Sequence, residues 1–150
     1  MTLFSLRRLA LAFCAIATLS AAPAAVRAAE PAARTPSPAG ARVYVISPAD
    51  GETVSSPVLV RFGLSGMGVA PASIQFPNTG HHHLMVDAPL PPFDAPIPND
   101  KNHIHYGAGL TESKVELTPG KHTLQLLMGD YAHVPHDPPV YSEPITINVK

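Results

Sequence analysis

The chain has 150 residues, a length that suits a single globular domain once a targeting segment is removed. Its formal net charge is −1 and it carries no basic run that could follow a phosphate backbone, which argues against a nucleic-acid partner. Its only cysteine is Cys14, so a disulfide scaffold is excluded.

The first 28 residues have the features of a secretory signal peptide. Arg7 and Arg8 precede an uncharged apolar stretch over residues 9–22, and small residues allow cleavage after Ala28. The apolar stretch is shorter than the roughly 20 residues that a membrane span needs, which disfavours the alternative of an uncleaved anchor. We therefore expect an exported protein, periplasmic or secreted, with no membrane span after processing.

Processing also changes the composition of the chain. Cleavage after residue 28 removes Cys14 and three arginines, which leaves seven basic side chains against eleven acidic ones and a net charge of about −4. An anionic membrane surface is then disfavoured as a partner. Without a thiol, any metal ion must be held by imidazole, carboxylate, thioether or backbone groups.

The remaining chain is predicted to be a short leader followed by one β domain. Residues 29–41 are mostly Ala, Pro and Ser and are interpreted as a flexible leader. Residues 42–150 show no apolar repeat at helical spacing, but contain about seven short β-rich runs separated by Gly and Pro turns. This pattern predicts an all-β fold, a single immunoglobulin-like antiparallel β-sandwich. The predicted strands span residues 43–46, 57–64, 78–87, 103–106, 114–117, 122–128 and 145–149.

Histidines dominate the chemistry of the domain. All eight lie between residues 81 and 136, and six of them form short-range pairs. On a strand, His81 and His83 share one face, roughly 7 Å apart along the chain, while His82 points to the other face. The three pairs are His81 with His83, His103 with His105, and His133 with His136. If the pairs meet at one end of a sandwich, they form a ligand set for a metal ion.

Imidazole is a good ligand for copper, zinc and nickel, and copper stands highest in the order of divalent affinities. We therefore predict copper or zinc as the bound ion, with Met85 and Met128 as further candidates for binding Cu(I). Six rings exceed the four that one site takes, so either two sites exist or some rings support the ligands. The predicted metal ligands are His81, His83, His103, His105, His133 and His136.

Two alternatives remain open. Histidines in proline-rich loops often bond only to backbone carbonyls, and His82 and His122 fit that role. The protein would then be a structural or interaction module of the cell envelope, with an envelope protein as a possible partner. Catalysis is a third hypothesis, because Asp130 can orient His133 or Asp137 can orient His136, but no serine or cysteine lies in a nucleophilic context. A hydrolytic metal site with an open position is its remaining form.

Short motifs are spread over the whole domain. They are Ser47-Pro48-Ala49-Asp50-Gly51, Ser56-Pro57-Val58, residues 66–71, Asn78-Thr79-Gly80-His81-His82-His83, His103-Ile104-His105-Tyr106-Gly107, residues 119–126 and residues 133–140. Together they resemble the exported bacterial family catalogued as domain of unknown function 4399. The resemblance implies a small exported protein and carries no activity with it. The strand entry at residues 47–51 also resembles that of periplasmic copper-carrier sandwiches, although the amino-terminal histidine of some carriers is absent.

Overall fold

A computed structural model describes residues 34–150 of the chain. The predicted signal peptide and the first part of the predicted leader lie outside the described residues. Within residues 34–150, no helix has the length and apolarity that a membrane crossing requires.

The described chain forms nine β-strands and no helix. Two of the strands, β2 and β4, contain only two residues each. The strands are β1 (Arg42–Ser47), β2 (Thr53–Val54), β3 (Val58–Ser65), β4 (Gly68–Val69), β5 (Thr79–Val86), β6 (His103–His105), β7 (Glu112–Val115), β8 (Gly120–Gly129) and β9 (Ile145–Val149).

The strands form two sheets. One has three antiparallel strands in the order β1-β3-β7, and the other has six, in the order β2-β9-β8-β5-β4 with β6 also paired to β5. Within the second sheet, β5, β6, β8 and β9 are antiparallel, and only the two-residue strands β2 and β4 pair in parallel. The fold is therefore an all-β sandwich, as the sequence predicts.

The main core lies between the two sheets. Alternate residues of β3 and β5 face it, because successive side chains of a strand point to opposite faces. Phe62 of β3 and Leu84 of β5 are among its buried members. On β3, Val58, Val60 and Phe62 are buried in this core, and Leu64 is partly buried at the end of the strand. The core residues are Val43, Val58, Val60, Phe62, Leu84, Val86, Tyr106, Val115, Leu124, Leu126, Met128, Val140, Ile147 and Val149.

The outer face of the six-stranded sheet has its own small apolar cluster. Met85 and Leu127 are fully buried there against Ile97, with Leu90 and Phe93 packed beside them. Ile97, Leu90 and Phe93 belong to the proline-rich segment between β5 and β6. Through Met85 and Leu127, this segment packs against the face of the sheet that also carries His81 and His83.

Two details of the strand prediction are wrong. The run predicted over residues 114–117 is β7, Glu112–Val115, because the amide of Leu117 donates to the Ser56 hydroxyl (3.0 Å) instead of to a neighbouring strand. The strands β2 and β4 were missed, since two residues show no alternation of apolar and polar side chains.

Candidate metal centre

Strand β5 brings His81 and His83 to the outer face of the six-stranded sheet, where both are fully buried. Strand β6 pairs with β5 so that His105 lies directly opposite His83. His133 comes from the loop that follows β8, whose last residue, Gly129, is paired with His81. Rings from three separate segments of the chain therefore meet at one place.

The four rings form a compact cluster, which we call the histidine cluster: His81, His83, His105 and His133. The Nε2 atoms of His81 and His83 lie 3.0 Å apart. The ring centroid of His105 lies 4.9 Å from that of His81 and 5.0 Å from that of His83. The centroid of His133 lies 4.6 Å from that of His105 and 5.1 Å from that of His81. The centroids of His83 and His133 are the farthest apart, at 6.2 Å.

These separations fit a transition-metal site. Two nitrogens bound tetrahedrally to one Zn²⁺ at about 2.0–2.1 Å lie about 3.3 Å apart, close to the spacing between His81 and His83. One ring nitrogen from each of His81, His105 and His133 lies within 4.8 Å of the other two. His83 is not one of these three, although its Nε2 lies 3.0 Å from that of His81.

Several ring nitrogens of the cluster have no protein partner. His81 Nδ1, His83 Nδ1 and His105 Nε2 are buried without a hydrogen bond among the described residues. Buried polar atoms are nearly always paired, because an unpaired one costs about 1–3 kcal/mol. An ion bound by the cluster would give at least His105 Nε2 a partner.

The environment favours the uncharged form of three rings of the cluster, His81, His83 and His105. Burial, reinforced by the neighbouring imidazoles, lowers the pKa of His83 to about 2 and that of His81 to about 4. The pKa of His105 is also lowered, first by burial and then by His133. The carboxylate of Asp130 acts in the opposite direction on the pKa of His81, but burial outweighs it. Neutral imidazoles have the lone pairs that a metal ion needs.

Glycines make room for the rings, a feature that the sequence prediction missed. A Cβ atom at Gly107 would lie 2.3 Å from Cε1 of His105, and one at Gly129 would lie 2.9 Å from Nε2 of His83. Neither distance is possible without moving the ring. A sequence signal was available only for Gly107, which follows His105 by two residues. Gly129 reaches His83 because it ends β8, which pairs with β5.

Two of the six predicted ligands lie outside the cluster. Nδ1 of His103 lies 3.0 Å from a carboxylate oxygen of Asp100. His136 is fully buried and its Nε2–H donates to the carbonyl of Thr79 (3.1 Å), which fastens the loop after β8 to the start of β5. Each of these two rings has a protein partner of its own.

The remaining two histidines have the backbone contacts expected of structural residues. Nδ1–H of His82 donates to the carbonyl of Leu110 (3.1 Å), and its ring packs in the main core with its centroid 5.1 Å from that of Phe62. His122 contacts Asp87 through Nδ1 (2.7 Å) and donates from Nε2 to the carbonyl of Thr118 (2.8 Å).

The two candidate methionines lie on opposite faces of the sheet. Met85 shares the face of the histidine cluster and packs with Ile97 and Leu127. Met128 points into the main core with Leu124 and Leu126. The hypothesis that Met128 helps to bind Cu(I) is therefore wrong, because that side chain lies on the face away from the cluster.

Comparison of this chain with curated proteins and with solved structures gives no match. Residues 60–150 match a family model, and this range contains all eight histidines. The match covers more than half of the chain, and its family is the one that the sequence motifs resemble. The chain belongs to the family described as Domain of unknown function (DUF4399).

Proposed function

We propose that this protein binds one transition-metal ion, copper ahead of zinc, through His81, His83, His105 and His133, and acts as an exported metal carrier. The observation that carries the proposal is the meeting of four imidazole rings from three segments. The Nε2 atoms of His81 and His83 lie 3.0 Å apart, and ligand nitrogens of His81, His105 and His133 lie within 4.8 Å of one another. His103 and His136, which the sequence also predicts as ligands, are left as supporting residues.

The alternative of mutual hydrogen bonding does not account for the cluster as well. Only one proton can lie between the two facing Nε2 atoms, and three other ring nitrogens of the cluster are buried without a partner. Stability alone would be better served by apolar residues at these positions. A metal ion gives a reason for placing four imidazoles together.

The number of ligands separates a carrier from a hydrolase. Four histidine ligands, with His83 included, would fill a tetrahedral ion as a carrier does, whereas the three of His81, His105 and His133 alone would leave the position that a catalytic zinc keeps open for water or substrate. His105 and His133 are partly exposed while His81 and His83 are fully buried. The ion would therefore enter and leave past His105 and His133.

Export to the periplasm is part of the proposal and rests on the predicted signal peptide. A cell that expresses the full chain should deliver a shortened protein to the periplasmic fraction. Its mass should correspond to removal of about 28 residues. Recovery of the uncut chain from the cytoplasm would contradict this part of the proposal.

Titration calorimetry on the purified, chelator-stripped protein tests the binding proposal. We expect about one Cu(II) or Zn(II) per chain with a dissociation constant below about 1 µM, or about −8 kcal/mol of binding free energy. Replacing His81 and His83 together by Ala should weaken binding at least roughly tenfold. His122→Ala serves as the matched control and should bind as the unaltered protein does. Absence of heat with either ion would contradict the proposal.

A second candidate is an interaction module of the cell envelope. Exposed apolar side chains favour it, since Phe76 is 66% exposed and Ile74 is 54% exposed on the segment between β4 and β5. Under this hypothesis the same double substitution lowers the melting temperature, but added metal leaves melting unchanged. A rise in melting temperature on adding zinc, which follows from preferential binding to the folded state, would favour the carrier.

A further inference from the structure

Residues 34–37, which we call the strap, lie along residues 130–137, which we call the histidine loop. The amide of Ser37 donates to the carbonyl of Asp137 (3.0 Å), and the amide of Asp137 donates to the carbonyl of Thr35 (2.9 Å). The guanidinium of Arg34 donates to the carbonyls of Pro135 (3.0 Å) and His136. The strap comes from the predicted leader, outside the range that matches the family.

The side chain of Asp130 organises the turn that carries His133. Its Oδ1 accepts hydrogen bonds from the amides of Ala132 (2.9 Å) and Val134 (3.0 Å), the two neighbours of His133. Its Oδ2 accepts from the hydroxyl of Thr35 in the strap (2.6 Å). Asp130 is only 3% exposed, so these donors replace the water that the carboxylate has lost.

His133 needs this support because its backbone has an unfavourable conformation. Its φ angle is +67°, in the left-handed region that residues other than glycine enter at a cost of about 1–2 kcal/mol. Two further bonds hold it: its amide donates to the carbonyl of Asp130 (2.9 Å), and its carbonyl accepts from the amide of Ile97 (2.8 Å). Relaxation of this turn would move the His133 ring away from His105 and His81.

We propose that Thr35 and Asp130 are a positioning pair that holds His133 in the histidine cluster and thereby sets its metal affinity. This inference rests on the proposed metal-binding function. It predicts that a residue of the leader, about 100 positions before His133 in the sequence, is part of the binding apparatus. Neither Thr35 nor Asp130 belongs to the group of side chains whose ligand atoms lie within 4.8 Å of one another, so the pair would act on the ion through His133.

Replacement of Thr35 by Val tests the proposal, because Val keeps the shape of the side chain and removes the hydroxyl. The zinc dissociation constant of the stripped protein should rise about tenfold, as for other residues that orient metal ligands. Thr35→Ser keeps the hydroxyl and should restore tight binding. Ser37→Ala is the matched control, since its hydroxyl donates to the carbonyl of Pro138 (2.8 Å) and not to Asp130. Equal affinities for Thr35→Val and the unaltered protein would overturn the proposal.

A double-mutant cycle with His133→Ala separates positioning from a general loss of stability. If Thr35 acts through His133, Thr35→Val should cause no further loss of zinc affinity in the His133→Ala background. A full additional loss would show that the strap acts on binding by another route, and would overturn the proposal.

Amide hydrogen exchange on the metal-free protein gives a readout that does not depend on binding. Thr35→Val should speed exchange at Ala132 and Val134, while Ser37→Ala should leave these amides unchanged. If the unaltered protein does not bind zinc, both the proposed function and the role of the pair in metal affinity are contradicted, and exchange tests only whether Thr35 and Asp130 hold the histidine loop. If the unaltered protein binds zinc but exchange in Thr35→Val is unchanged, only the positioning pair is contradicted.

Discussion

The eight histidines divide into two groups of four that differ in what their ring nitrogens contact. His103, His122 and His136 each have a carboxylate or carbonyl partner, and His82 has the carbonyl of Leu110 inside the core. The histidine cluster contacts mainly itself, through the two facing Nε2 atoms of His81 and His83. Among the described residues, buried ring nitrogens without a partner occur in both groups, so the difference lies in the partners that the other nitrogens have. The first group fastens loops and strands, whereas the rings of the second group meet one another.

The comparison shows that two pairs with equal spacing can have different contacts. His81 and His83 have the same His-X-His spacing as His103 and His105. Both members of the first pair join the cluster, whereas His103 turns to Asp100 and only His105 joins. The acid that removes His103 from the cluster lies three residues before it in the sequence.

The largest effect is expected in acid, on the metal-free protein. Burial lowers the pKa of His82 to about 4, while an unfolded histidine titrates near 6.5, so the unfolded state binds the proton first as pH falls. The free energy of unfolding therefore decreases progressively between pH 6.5 and pH 4, by about 3 kcal/mol for His82 alone. His81 and His83 act in the same direction. Denaturant unfolding at pH 7, 5.5 and 4.5 measures the loss.

The pKa of His122 is shifted in the opposite direction from that of His82, so the two should affect the pH dependence of stability in opposite ways. The Asp87 carboxylate raises the pKa of His122, so its contribution is complete below pH 6.5 and is lost as pH rises through the raised value. His82→Leu should therefore reduce the acid sensitivity, and His122→Ala should not. An unfolding free energy that stays constant from pH 7 to 4.5 would contradict the burial of uncharged histidines.

The next effect concerns two histidines on the same short strand. His105→Ala should weaken zinc binding by roughly tenfold or more, because it removes a proposed ligand. His103→Ala, at the other end of β6, should change the dissociation constant by less than about twofold, since its ring has Asp100 as its partner. Calorimetry on both variants measures the difference in zinc affinity. Equal losses of affinity would contradict the assignment of His105 to the histidine cluster and of His103 to the structural group.

A smaller effect is expected from filling the space beside His105. Gly107→Ala places a methyl group where His105 now lies, so the ring must turn and zinc affinity should fall several-fold, up to about tenfold. Gly68→Ala is the control, because its nearest neighbour is the Thr79 methyl group at 3.3 Å and no histidine ring. Zinc binding by Gly107→Ala at full affinity would argue that His105 is not a ligand.

The smallest effect is expected from His122→Ala, which removes a contact at the edge of the sheet. Its ion pair with Asp87 is partly exposed on the carboxylate side, and such pairs contribute less than about 1 kcal/mol. Thermal unfolding should show a small decrease in melting temperature. A loss of several kcal/mol would show that the structural group contributes more than local hydrogen bonds.

The sequence predicted the β-sandwich and the shared face of His81 and His83. It did not predict which contacts bring His105 and His133 to that face. Alternation along residues 81–86 correctly placed His81 and His83 on one face and His82 on the other, because strand geometry is local. The meeting with His105 and His133 depends on strand pairing and on a turn at Asp130, which no local pattern specifies. Gly107 was missed, although the ring it makes room for, His105, lies only two residues before it. Asp130 was predicted to orient His133, but not to do so through the amides of Ala132 and Val134 on either side of it.

The most direct test is the X-ray absorption spectrum of the zinc-loaded protein, which counts the atoms bound to the ion. Our account predicts three or four imidazole nitrogens at about 2.0 Å, with one fewer in the His105→Ala variant. A zinc ion surrounded by oxygen atoms, or by a single imidazole, would contradict the account.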